Sequence, residues 1–253
     1  MAHPPPFTRS PNCATFGFYF GGLGMILRTS RRREFLSASI AASAIALGGL
    51  GRGSATFERG IFPRTFAGSR TVTSFATGLL FAEENMPLAL TRWIDAELAR
   101  TDVQLHSHAQ ERRQAEFFGW LAIHVVAPRA LRRAGYEDLA VGCEKARDLR
   151  PGGAASGAQH TIGREFRSSL FSPRVQVAYG ASAHASTCAF YATHDEIATV
   201  FEAGHYCARA IVETFCCEDP EAAETAWSAG FAVAAINKAI EIGMTDEGPG
   251  VLG

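Results

Sequence analysis

The sequence lacks the motifs by which several large enzyme classes are recognised. Its 253 residues contain no phosphate-binding loop, no dinucleotide-binding fingerprint, no Cys-x-x-Cys pair and no His-Glu-x-x-His helix. Each of these motifs places glycine backbone, thiolates or imidazoles where a nucleotide or a metal ion is held. Their absence removes the main sequence support for nucleotide-dependent and zinc-dependent chemistry.

Basic residues are scarce in the C-terminal third of the chain. From residue 175 onward Arg209 and Lys238 oppose eleven carboxylates, and residues 56–253 hold 18 Lys and Arg against 24 Asp and Glu. We expect no nucleic-acid partner, because phosphate binding requires a basic face. A cationic partner, a metal ion or plain solubility suits such an acidic segment better.

Alternation of apolar and polar residues is also missing, apart from a weak trace at 70–75, so the sequence gives no support for a sheet. Helical spacing recurs instead, and the sequence predicts an all-α fold, an irregular bundle or array of about six helices. One helix is expected to end at Pro128, and residues 151–173 are expected to form the longest irregular segment. The predicted helices cover 73–86, 88–100, 107–127, 136–149, 175–192, 195–217 and a last one opened by Pro220.

A short motif near the N-terminus resembles the signal of twin-arginine (Tat) export. Arg32 and Arg33 are followed by Glu, Phe35 and Leu36, and then by an uncharged, modestly apolar run at 37–50. That run is too short to cross a bilayer as a helix, so no membrane anchor is expected after cleavage. The resemblance implies recognition by the Tat machinery and a periplasmic or extracellular destination.

Small residues at Gly53 and Ala55 suit a signal peptidase, and we predict cleavage after Ala55. Translation starts at Met1 or at Met25, and Met25 gives a short basic segment directly before the apolar run. The expected divisions are an unused or disordered extension at 1–24, a signal at 25–55, a tether at 56–72 and one helical domain at 73–253. Tat cargo folds before export, often around a cofactor, so the resemblance also implies a possible transition metal.

Four residues of the C-terminal helices form the candidate metal site. His184 and Cys188 are four residues apart, and Glu202 and His205 are three apart, so each pair shares a helix face. Di-iron helical bundles use a Glu-x-x-His pair, but on two helices and with two further carboxylates, which this sequence does not supply. The alternative interpretation is a solvated, charged face on one helix and packing residues on the other.

The other reactive side chains give weaker indications. His106 and His108 at a helix start could bind a transition metal. The stretch from Gly180 to His184 partly resembles a Gly-x-Ser-x-Gly nucleophile elbow around Ser182, although no strand precedes it. Five cysteines follow the signal, and we expect at least three to be buried and unpaired. These cysteines are Cys143, Cys188, Cys207, Cys216 and Cys217.

Two functional hypotheses follow from these patterns. The first is an exported, non-enzymatic helical module that binds a partner through its acidic C-terminal helices or through residues 151–173. The second is an exported metal-binding or redox enzyme built on Glu202, His205, His184 and Cys188. The Ala-rich helices at 141–242 also resemble small helical domains of some immunity-type and repeat-containing bacterial proteins, and that resemblance implies no residue role.

Replacing Arg32 and Arg33 together by lysine is expected to leave the uncleaved precursor inside the cell, because the paired arginines define the signal that the motif resembles. Immunoblots of cell fractions give the measurement. The same change at Arg28 and Arg31 is the matched control and should leave export intact. Export of the Arg32 and Arg33 variant at the wild-type level would contradict the prediction.

Overall fold

The computed structural model describes residues 66, 68–81, 86, 88–150, 152–166, 172–194, 196–216 and 229–244. Within these residues all regular structure is helical and no strand occurs, which confirms the predicted all-α array. The export motif, the predicted cleavage at Ala55 and the start of the last helix at Pro220 lie outside the described residues.

The helices of the described residues follow one another along the chain without intervening strands. The longest, α7, packs along α9, and α9 in turn packs along α1, while α3 crosses this group and also contacts α10. None of the helices in the described part of the chain is both long enough and apolar enough to span a membrane. The elements are α1 (Arg70–Leu79), α2 (Leu88–Leu98), α3 (His108–Leu121), a π-helical turn (Ala122–Val126), α4 (Ala127–Arg133), α5 (Glu137–Glu144), α6 (Ala154–Phe166), α7 (Pro173–Thr193), α8 (Ile197–Val200), α9 (Glu202–Cys216) and α10 (Ala229–Met244).

The prediction that a helix ends at Pro128 is wrong, because α3, the π-helical turn and α4 form one continuous rod. A proline inside a regular α-helix lacks an N–H and its ring presses on the carbonyl four residues earlier. The wider π turn lies immediately before this position, and Pro128 occupies the first turn of α4, where no N–H is needed. The ring nitrogens of His124 lie 3.0 Å from Trp120 O and 2.9 Å from Ala146 O, which ties the turn to the chain after α5.

Residues 151–173 are not the irregular segment that was predicted, because α6 occupies most of them. Its buried side chains, Ala155, Ala158 and Ile162, recur at helical spacing and pack toward α7. Gly157 and Gly163 lower the intrinsic helix propensity of this stretch by up to about 1 kcal/mol each. For this reason the sequence did not predict a helix here. Tertiary packing offsets that cost.

The tether predicted at 56–72 is too long. Phe66 is 1% exposed and packs edge-on against Trp93 at 5.2 Å. Ser69 and Thr71 are also buried, and α1 begins at Arg70, before the predicted residue 73. Ser69 is the N-cap of α1, because its hydroxyl accepts the Val72 N–H. Any tether must therefore end before Ser69.

A buried carboxylate anchors the start of α1. Glu111, from the first turn of α3, is 6% exposed, and its Oε1 accepts the Arg70 N–H at 2.8 Å. Its Oε2 accepts the Thr71 N–H at 2.8 Å and the Thr71 hydroxyl at 2.6 Å. The negative charge thereby meets otherwise unpaired amides at the positive end of the α1 dipole.

Arginines of the rod formed by α3, the π-helical turn and α4 cap the C-terminal ends of three other helices. Arg112 donates to His194 O at 3.2 Å, just after α7, and Arg133 donates to Thr214 O at 3.0 Å, in the last turn of α9. Arg113 donates to Ile242 O and Gly243 O at the end of α10. Cationic side chains are favourable there because the last carbonyls of a helix lack intrahelical partners.

Small residues allow the central helices to approach closely. On α7 the small side chains of Ala178, Ala181, Ala185, Cys188 and Ala192 recur at helical spacing and are all buried. On α9, a Cβ added to Gly204 would overlap Thr71 O and lie 2.9 Å from Phe75 N. The backbones of α1 and α9 therefore touch at Gly204, and a larger residue would have to push the helices apart.

Gly204→Ala is expected to lower the free energy of unfolding by about 2 kcal/mol or more, because the new methyl group meets backbone atoms that cannot rotate away. Gly157→Ala on α6 is the matched control, since an added Cβ there meets no atom within 4 Å. The control should gain about 0.5–1 kcal/mol from helix propensity. Chemical denaturation measures both, and equal effects of the two substitutions would refute the close approach.

Candidate functional site

Aromatic and imidazole rings form a continuous array on the surface formed by α7, α9 and the residues just after α1. We call this set the ring array. Phe81 and Phe190 are its most exposed members, at 57% and 37%, and the others are partly buried. The array consists of Phe81, His184, Phe190, Tyr191, His194, His205 and Tyr206, with the guanidinium of Arg209 at one end.

Each ring of the array contacts the next at van der Waals range. The Tyr191 and Tyr206 rings stack with centroids 5.4 Å apart, and they join α7 to α9. On the α7 side, Phe190 contacts Tyr191 at 5.2 Å and His194 at 5.1 Å. Ring pairs in such stacked and edge-on arrangements attract one another beyond their area burial, which favours the observed rotamers.

On the α9 side the array continues from Tyr206 to the end of α1. Tyr206 lies 6.0 Å from the His184 ring and 5.5 Å from the His205 ring. His205 meets Phe81 edge-on at 5.6 Å, and the Arg209 guanidinium carbon lies 4.5 Å above the Phe81 ring. The cation over an aromatic face adds attraction on this exposed side.

Burial disfavours the charged forms of three rings of the array, those of His184, His205 and Tyr206. Desolvation, then the charges of Arg209 and His205, lowers the pKa of His184 to about 4. Desolvation and Arg209 also lower the pKa of His205. Desolvation, with Tyr191 and Glu202, raises the pKa of Tyr206. Arg209 therefore supplies positive charge beside three rings whose own charged forms are disfavoured by burial.

The structure brings the candidate metal ligands only partly together. His184 and His205 lie on facing helices beside Tyr206, and Glu202 is close enough to influence that phenol. Cys188 is fully buried beneath them, and its thiol donates to Ala203 O at 3.1 Å. Across the described ranges, no group of three or more His, Cys, Asp or Glu side chains is placed to hold a metal ion.

The buried cysteines behave as core residues. Cys143, Cys188 and Cys207 are free and buried, which confirms the expectation of at least three unpaired thiols. Burial, and secondarily Glu144, raises the pKa of Cys143 to about 12. Burial, followed by a hydrogen bond with Cys188, raises that of Cys207. Because their pKa values are raised, the thiols of Cys143 and Cys207 are poor nucleophiles.

Ser182 is not an exposed nucleophile. It lies in the middle of α7, is 0% exposed, and its hydroxyl has no hydrogen-bond partner within the described structure. A nucleophile elbow needs a strand-to-helix turn that presents the serine to solvent. The resemblance of residues 180–184 to that motif therefore carries no hydrolase chemistry.

His106 and His108 lie away from the ring array, at the start of α3, where both line a separate cleft. Sequence reasoning singled out His184 and His205 but missed Phe81, Tyr191 and Tyr206. Tyr206 directly follows His205 on α9, and the alternative interpretation of that helix was a charged, solvated face. A large aromatic ring among charged residues was the signal that could have identified Tyr206.

Comparison with known proteins identifies no relative of this chain. No protein-family model, no curated protein and no solved structure matches the chain. Function must therefore be inferred from the geometry of the side chains.

Stability should fall in acid because of His184. Its unfolded form has a pKa near 6.5 and its folded form about 4, so protons bind the unfolded state first as pH falls below 6.5. We expect this group to cost about 2 kcal/mol of the free energy of unfolding between pH 7 and pH 4, after allowance for its partial exposure.

Denaturation across that pH range is the measurement, and His184→Gln should flatten the dependence by the stated amount. His160→Gln, on the exposed face of α6, is the matched control and should keep the wild-type slope. An unchanged slope in His184→Gln would show that this imidazole is not desolvated in the folded protein.

Proposed function

We propose that residues 56–253 form an exported, non-enzymatic helical domain that binds a protein partner through the ring array. Export is supported by the motif at Arg32 and Arg33 and by the small residues before Ala55. Binding is supported by one observation above the others: exposed rings at Phe81 and Phe190 are joined by partly buried Tyr and His rings.

The composition of the array matches the centre of a protein interface. Such centres are enriched in Tyr, Phe and Arg and depleted of Lys, Asp and Glu. Neutral His184 and His205 reduce the desolvation cost of covering the surface. Because neighbouring rings already hold one another, a partner loses little side-chain entropy there when it binds.

This surface replaces one of the two predicted from the sequence, the segment at 151–173. Helix α6 fills most of 151–173 and packs on α7. Much of the acidic C-terminal sequence, including Glu218, Asp219, Glu221 and Glu224, lies outside the described residues. The ring array therefore carries the proposal, and acidic side chains such as Glu202 and Glu213 belong to its surroundings.

A metal-binding or redox enzyme is the second candidate. The specific observation in its favour is the approach of His184 and His205 beside Tyr206, with Glu202 nearby. Elemental analysis of the exported protein, purified without a metal-affinity tag or chelator, separates the two functions. Stoichiometric iron, copper or zinc that disappears in His184→Gln would favour the enzyme over the binding module.

Photo-crosslinking in the native cell tests the binding proposal. A benzophenone amino acid at position 81, and separately at position 190, should give adducts with the same protein. The control position is Met244, an apolar residue of α10 that is 68% exposed, and it should not give that adduct. Each site lies on the surface, so the substitutions should not disturb folding.

Tyr206→Ala provides the decisive variant, because it removes the ring that joins both halves of the array. Loss of an interface hot spot weakens binding by about tenfold or more, so both adducts should fall accordingly. Circular dichroism and thermal unfolding must show that the variant is folded. Adducts that persist undiminished in folded Tyr206→Ala, or that arise equally from position 244, would contradict the proposal.

A further inference from the structure

A cleft lies at the other end of α1 from the ring array. It has a volume of about 150 Å³ and lies where the first residues of α1 and α3 meet the end of α8. Leu105, Val200 and Phe201 form its apolar wall, and Arg70, His106 and His108 belong to its polar wall. None of these residues belongs to the ring array.

The carboxylate in the cleft wall, that of Glu111, is already hydrogen-bonded within the protein. Glu111 accepts the two α1 amide hydrogens and the Thr71 hydroxyl at 2.6–2.8 Å. The positive end of α1 offsets its charge. Glu111 is 6% exposed, so it offers little acceptor capacity to a ligand.

A chain of hydrogen bonds orients His106. The Ser69 hydroxyl lies 2.7 Å from Gln114 Oε1 but 3.5 Å from Glu111 Oε2, so Ser69 donates to Gln114. This fixes the amide of Gln114, which is 0% exposed, with Nε2 toward His106 Nδ1 at 3.4 Å. An amide nitrogen can only donate, so Nδ1 accepts and the ring hydrogen of His106 is on Nε2.

The polar wall therefore offers donors and few free acceptors. Nε2–H of His106 and the guanidinium of Arg70 can both donate, and the carboxylate of Glu111 is occupied. A carboxylate group complements such a wall, because charge-assisted hydrogen bonds to arginine are among the strongest in proteins. The three apolar residues opposite complement a short hydrocarbon group.

Size limits the ligand further. A cavity of about 150 Å³ accommodates a molecule near the size of benzene. The geometry points to a binding site for a small monocarboxylate with one apolar group of that size, held by Arg70 and His106 through its carboxylate and by Leu105, Val200 and Phe201 through its hydrocarbon part. This site is independent of the proposed partner surface, since the two share no residue.

Benzoate is the probe, and isothermal titration calorimetry with the mature protein is the measurement. Saturable binding with one ligand per chain is expected, and benzamide, a neutral molecule of the same shape, should bind about tenfold more weakly or worse. Arg70→Gln should weaken benzoate binding by about tenfold and leave benzamide unaffected. Arg164→Gln, an exposed arginine of α6, is the matched control and should bind benzoate as wild type does.

His106→Ala should also weaken benzoate binding. If the His106→Ala protein fails to fold, the affinity of Arg70→Gln for benzoate tests the site alone. The Arg70 side chain is exposed, so its removal leaves the backbone contact to Glu111 in place. Equal affinities for benzoate and benzamide would overturn recognition of the carboxylate. Absence of saturable benzoate binding, or equal losses in Arg70→Gln and Arg164→Gln, would overturn the site.

Discussion

The contact between Glu111 and the start of α1 is the constraint on which both surfaces of this domain depend. A carboxylate with 6% exposure is stable only when its oxygens are hydrogen-bonded, and the α1 amides supply those bonds. The contact sets the position of α1 on α3. Gly204 then lets α9 lie directly against α1. Loosening the first contact would shift Phe81, which follows α1, away from His205 and Arg209.

Helix α1 links the two candidate sites. Arg70 is its first residue and lines the cleft, while Phe81 follows two residues after its end and belongs to the ring array. Ten helical residues span about 15 Å. The same small rigid element therefore supports an arginine at one end and an aromatic ring at the other. Its buried face, which includes Val72, Phe75 and Leu79, holds it against the core between them.

Local periodicity predicted those features that depend on one element alone. The helix predicted at 175–192 corresponds to one continuous element, so spacing sufficed to identify it. The Pro128 prediction failed because a local rule does not include the π turn that accommodates the ring. Helix α6 was not predicted, because Gly157 lowers the local helix propensity, and its packing on α7 is what stabilises it. The ring array as a whole does not follow from local periodicity, because Phe81 and His205 are 124 positions apart in the sequence and meet only through tertiary structure.

The arginine caps have a consequence for the way this domain opens. Helix ends commonly fray one at a time, because their last carbonyls face solvent. Here the ends of α7, α9 and α10 are each held by an arginine of the single rod that contains Arg112, Arg113 and Arg133. Those ends lie up to about 50 residues apart in sequence but share one support. They form one cooperative unit, in which the release of the rod exposes three helix termini together.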